Sequence, residues 1–216
     1  MDRKTIQTLC LLTLLASAPA YAGSVSIEIT GTDGKPAANA VVELAPDAVQ
    51  DVVSHLPNEA IIDQREEMFI PLVSLIKRGG RVIFTNHDTT MHQVYSFSPI
   101  KQFEFEIDQG QRSQPVVFDK SGVSSIGCNI HDQMITFVYV AESPWAAITD
   151  AQGHARIENI PDGGYHASVW HPQLMPGNPP PATQVSVSGA DTKFSLAVSL
   201  LPGPMPGMKH MHMQMY

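Results

Sequence analysis

Cysteine is nearly absent. Cys10 and Cys128 are the only two in 216 residues. Cys10 falls in an N-terminal stretch with the marks of an export signal: Arg3 and Lys4, an apolar run from Leu9 to Ala16, and Ala20-Tyr21-Ala22 as an A-x-A cleavage pattern. Loss of residues 1–22 would leave Cys128 alone, so no intrachain disulfide could form. A single thiol in an oxidising compartment calls for burial or occupation by a metal. The apolar run is too short to cross a bilayer as a helix, so no membrane span is expected after cleavage. The expected location is the periplasm or the cell exterior.

Positive charge is also scarce. Thirteen basic residues face 21 acidic ones, a net charge of −8. That excludes nucleic acid as a natural partner, because its binding rests on cationic surface; a basic protein partner stays open. No long stretch shows a helical period. Short β-branched and aromatic runs, punctuated by Gly, Pro, Asp and Asn, predict an all-β chain.

Against these absences stands GCNIHDQM, residues 127–134, which spaces Cys128, His131 and Met134 as C-x-x-H-x-x-M. Upstream, NHDTTMHQV (86–94) supplies His92. One thiolate, two imidazoles and one thioether suit a trigonal His/His/Cys copper site with a long axial Met. If Cys128 ends one strand and Met134 opens the next, the loop between them can turn all three side chains to one ion. His92 must then come from another strand pair.

These motifs resemble those of the cupredoxins, over about residues 60–142. The C-x-x-H-x-x-M loop resembles the short ligand loop of the amicyanin group, and Asn86, Asp88, His92 and Val94 resemble the upstream histidine motif of the plastocyanin-like fold. The longer pattern, with HQVYSFSP, is similar to that of periplasmic methylamine-utilisation-type proteins. The resemblance implies a Greek-key β-sandwich and one type 1-like copper held by His92, Cys128, His131 and Met134. It also implies a redox partner protein, met at the exposed edge of His131 beside Met91 and Ile130. Two positions depart from the family pattern. Ile130 stands where many members have Pro before the second His. Gln93 stands where many have an Asn that ties the two ligand loops together.

The flanks read as a second module. VSIEIT alternates apolar and polar, GTDGKP is a turn, and NAVVEL is another strand; far downstream, AAITDAQGHARIENIPDGGYHASVWHP (146–172) repeats strand and turn. Together these pieces resemble a carboxypeptidase-regulatory-like, transthyretin-type (Ig-like) β-sandwich, with TQVSV and FSLAVS completing it. The expected order is signal peptide 1–22, first sandwich part 23–45, copper domain with its connector 46–142, remaining sandwich 143–200 and tail 201–216. The cupredoxin module is thus inserted into, or packed against, the smaller sandwich. The connector 46–60 has room for one helical turn. Phe69 and Pro71 mark the start of a strand. His55 and His87 read as surface residues, and His166 and His171 as packing or capping groups around Trp170.

The tail is expected to be disordered, yet it holds Met205, Met208, Met211, Met213, Met215, His210 and His212. Thioethers favour Cu(I) and imidazoles suit Cu(II), so a second, weaker copper could be held there. Three functions follow as expectations: a periplasmic electron carrier, a copper-binding or delivery protein working through its tail, and a non-redox structural β-protein. An enzyme is not expected. Four ligands would leave no open position for a substrate, and no nucleophile or zincin motif is present.

Overall fold

The computed structural model describes residues 22–50, 52–189, 191–203 and 205. The signal-like stretch 1–21 and the Met/His-rich run 206–216 lie outside them, and with them the readings made there. Every regular element among the described residues is a strand. None is a helix long and apolar enough to cross a membrane. The connector 46–60 carries no helical turn among its described residues.

The chain opens with β1 (Ala22–Gly31) and β2 (Val41–Pro46). After the connector come β3 (Glu59–Arg65), β4 (Met68–Ile70), β5 (Val73–Lys77) and β6 (Arg81–Asn86). Next are β7 (His92–Ser98), β8 (Lys101–Ile107), β9 (Val116–Val117), β10 (Gly122–Cys128) and β11 (Ile135–Ala141). The chain closes with β12 (Ala146–Ile148), β13 (His154–Pro161), β14 (Gly163–Trp170), β15 (Ala182–Val187) and β16 (Asp191–Val198).

Four sheets result. The first and last parts of the chain build β13-β1-β16 and β12-β2-β14-β15. Their inward residues share one core: Val25, Ile27 and Ile29 alternate with more exposed neighbours along β1 and meet Leu44, Trp145, Tyr165 and Val169. The middle of the chain builds β5-β11-β10-β7-β8 and β4-β3-β6-β9 around a separate core. Phe84 is its centre, fully buried, with Phe69, Phe103 and Phe105 at ring distances of 6.3, 5.9 and 5.7 Å. Phe103 and Phe105 come from FEFEI, whose glutamates point the other way; period-two alternation places them so.

The run expected as one strand from Phe69 is two. Pro71 donates no amide, so β4 stops at Ile70 and β5 begins at Val73 in the facing sheet. This crossing lets one segment serve both layers of the middle core.

A third cluster joins the two halves. Val73, Phe137 and Tyr139 of the five-stranded sheet pack against Val41 and Trp170. The Trp170 ring lies 5.4 Å from Phe137 and 5.9 Å from Tyr139. Beside it, buried Glu43 accepts hydrogen bonds from the Tyr139 hydroxyl (2.7 Å) and the amides of Glu142 (3.0 Å) and Ser143 (2.6 Å). Burial first, and then the Glu43 carboxylate, push the Tyr139 phenol well above its ordinary pKa.

Candidate metal centre

At one end of the middle core, β6 delivers the chain to a loop pinned by Asn86. The Asn86 Nδ2 donates to the carbonyls of Thr90 (2.8 Å) and Ile107 (2.9 Å), and its Oδ1 accepts from the Asp88 amide (2.9 Å). The loop therefore ends with β7 starting at His92. Paired with Ile107, His92 faces inward and is fully buried. Cys128, paired with Val94, ends β10 on the same inward face.

The next six residues fold back tightly. The Met134 amide donates to the His131 carbonyl (2.9 Å), and the Cys128 amide to the Met134 carbonyl (3.3 Å). Cys128 and Met134 thus sit side by side across the loop mouth, both buried in the middle core. The two ligand loops are tied to each other. The Asn129 amide donates to the Gln93 carbonyl (3.0 Å), and Asn129 Nδ2 to Gln93 Oε1 (3.0 Å). Gln93 thus ties the two loops together, with Asn129 supplying both donors.

The structure brings His92, Cys128 and His131 together, with one donor atom from each inside a 4.8 Å span. Cys128 Sγ lies 3.5 Å from His92 Nδ1, and the two imidazoles are 5.2 Å apart at 56°. His131 Nδ1 is buried with no hydrogen-bond partner. A buried imidazole nitrogen without a partner costs free energy that a bound metal would recover. One thiolate and two imidazoles form a soft-to-borderline donor set suited to copper or zinc, and unsuited to the hard cations that want oxygen. The buried thioether of Met134 shifts that choice toward copper. The residues present therefore fit the metal.

An outer set of groups holds the histidines. His92 Nε2 donates to Asp88 Oδ2 at 2.8 Å, which leaves Nδ1 as the acceptor turned to Cys128. Asp88 is in turn held by the amides of Glu66 and Glu67. Burial acts to raise the Asp88 carboxyl, but these amides and His92 outweigh it and leave the pKa below the ordinary carboxylate value. Glu66 and Glu67 form the two-residue turn of the β3–β4 hairpin, both at positive φ (53° and 57°). Glu67 Oε1 also stands 3.8 Å from His131 Nε2, the edge of that ring nearest solvent.

Other candidates stay apart. His87 is half exposed and pairs with Asp63 at 3.4 Å. His55, His154 and His166 are exposed. His171 is buried with both nitrogens bonded: Nε2 to the Ala38 carbonyl and Nδ1 to the Gln173 amide, each at 3.0 Å. Sequence reasoning overlooked Glu66 and Glu67 altogether. Asp88, four residues before His92, was visible as a motif member without an assigned role.

No family model and no curated protein matches the chain. Solved structures similar to part of it include a purple cupredoxin from Nitrosopumilus maritimus, at 25% identity over 38% of this chain and 99% of that one, with a TM-score of 0.35. A copper-containing nitrite reductase from Thermus scotoductus SA-01 is 24% identical over 45% of this chain, with a TM-score of 0.36, and this chain covers only 25% of it. Amicyanin from Paracoccus versutus is 20% identical over 46% of this chain and 97% of its own, with a TM-score of 0.34.

Proposed function

We propose that the protein is an exported copper-binding electron carrier, met by a redox partner protein in the periplasm or outside the cell. The observation that carries this reading is the convergence of Cys128 Sγ, His92 Nδ1 and a partnerless, buried His131 Nδ1 within one 4.8 Å span. Cys128, His92 and His131 would hold the ion, with Met134 as the weak fourth donor. Bound copper would supply one-electron chemistry between Cu(II) and Cu(I).

The chain's own part is positioning. Asp88 fixes the His92 ring, and the Gln93–Asn129 pair fixes the loop that bears His131. Burial of His92, Cys128 and Met134 keeps water from the donors. His131, with 21% of its side chain exposed, gives electrons the shortest way out. Two carriers can exchange an electron without bond making, so no open coordination position or catalytic base is required, and no enzymatic role is proposed.

The test is a Cu(II) titration of the mature protein, followed by visible absorption and EPR, beside Cys128→Ser and a chain ending at Leu201. An intense thiolate-to-copper band, lost in Cys128→Ser and kept in the shortened chain, is the expected result. Copper bound only when the tail is present, with no such band, would instead support the second reading. That reading, a copper-delivery protein, is favoured by the Met and His residues beyond Leu201.

A further inference from the structure

The outer face of the five-stranded sheet is covered over only half its width. On β5 and β11, the outward Val73, Phe137 and Tyr139 lie beneath Val41 and Trp170. Across β7 and β8 the same face is open. Register sets Gln93 opposite Glu106, Tyr95 opposite Glu104 and Phe97 opposite Gln102, so these six side chains share that face. Phe97 is 71% exposed, and its ring lies 5.1 Å from Tyr95. Neither ring is needed inside, since Phe103 and Phe105 fill the core from the opposite face of β8.

Tyr95 also packs on Gly127, where a Cβ would come within 2.8 Å of the phenol. Gly127 directly precedes Cys128, so this face reaches the metal ligand's own strand. Glu104 holds Gln93 at 2.7 Å, and Gln93 holds the ligand loop through Asn129. Glu104, Glu106 and Asp108 are all exposed. Of the cations at its margin, Lys101 is at the end of β8 away from His92, paired with Ser98, and Arg112 lines a groove with Glu106.

We propose that this open half of the sheet is a docking face for a protein with a lysine- or arginine-rich surface. Tyr95 and Phe97 form its apolar centre, and Glu104, Glu106 and Asp108 its charged rim. Paired aromatics surrounded by like charges are the arrangement of an interface whose rings supply contact energy and whose charges speed encounter. The net charge of −8 acts in the same direction at longer range. The face is distinct from the exposed edge of His131 with Met91 and Ile130. What the partner exchanges there rests on the electron-carrier reading; the docking itself does not.

The experiment is an NMR titration of the 15N-labelled mature protein with mitochondrial cytochrome c, a basic redox protein, as probe. Saturable amide shifts clustered over residues 93–98 and 101–108, abolished by high salt, are the expected outcome. Phe97→Ser and Glu106→Lys should each weaken binding by about fivefold or more. Cys128→Ser should bind the probe as the wild type does, so that failure of the metal reading and failure of the docking face are separately visible. Shifts centred on Met91, Ile130 and His131, or unaltered binding by Phe97→Ser and Glu106→Lys, would overturn the proposal.

Discussion

Asp88 decides which nitrogen of His92 faces the thiol. Its carboxylate accepts a hydrogen bond from Nε2–H, and two backbone amides prevent it from turning away. Asp88→Asn keeps the size but removes the charge that favours this tautomer. Copper affinity, measured by competition with a chelator, should fall roughly 10–100-fold, with the far-UV spectrum unchanged. His171 shows the opposite use of an imidazole. Burial lowers its pKa below the ordinary value, and the Ala38 carbonyl only partly opposes this. The unfolded chain therefore binds the extra proton first. Stability from this residue is complete above about pH 6.5 and declines as pH falls from there through the folded value. Urea midpoints taken between pH 8 and pH 5 should drop more steeply for the wild type than for His171→Gln. At this scale the candidate ligands were readable, because thiol, imidazole and thioether are scarce and their spacing is distinctive. Their supports were not: an aspartate beside a histidine is common, and only coordinates show what it touches.

Turns decide where the strands deliver those residues. In the TDAQG turn, Asp150 Oδ1 accepts from the amides of Gln152 and His154, each at 2.9 Å. Gly153 there has φ of 77°, and a Cβ would sit 2.3 Å from the Ile29 carbonyl oxygen. Backbone cannot yield as a side chain can, so Gly153→Ala should cost more than about 1 kcal/mol. A fall in Tm of at least about 2–4 °C would register it in a calorimeter. This turn was legible from its Asp and Gly. The β3–β4 turn was not: glutamates at both positive-φ positions run against the Asn-Gly preference of such hairpins. That turn is also the one that holds Asp88. Strands with clean alternation, such as VSIEIT and FEFEID, could be read directly. The break between β4 and β5 could not, since a proline alone does not say which sheet the chain enters next.

At the scale of the molecule, the described residues form two cores joined by a small third. The all-β class follows from composition and periodicity, but the contact between halves depends on Trp170 and Glu43, whose partners lie far away in sequence. Trp170→Ala should cost about 2–3 kcal/mol, less than for a wholly buried tryptophan because the residue is only partly buried. Its larger effect should be on cooperativity. Denaturation followed by near-UV signal and by copper-site absorption should coincide in the wild type and separate into two transitions in the variant.

β1 and β16 are neighbours that run parallel, matched from Ser24 with Asp191 to Gly31 with Val198. Tension applied near residues 22 and 198 would pull them past each other along their length. Such a load is shared by the whole ladder at once, where an antiparallel pair pulled from one end would open one bond at a time. The middle of the chain leaves after β2 and returns at β12, and these two strands are paired through Glu43 and Ala146. Force on that path therefore bypasses the candidate metal centre, and the outer sandwich would act as a mechanical clamp around an unloaded site.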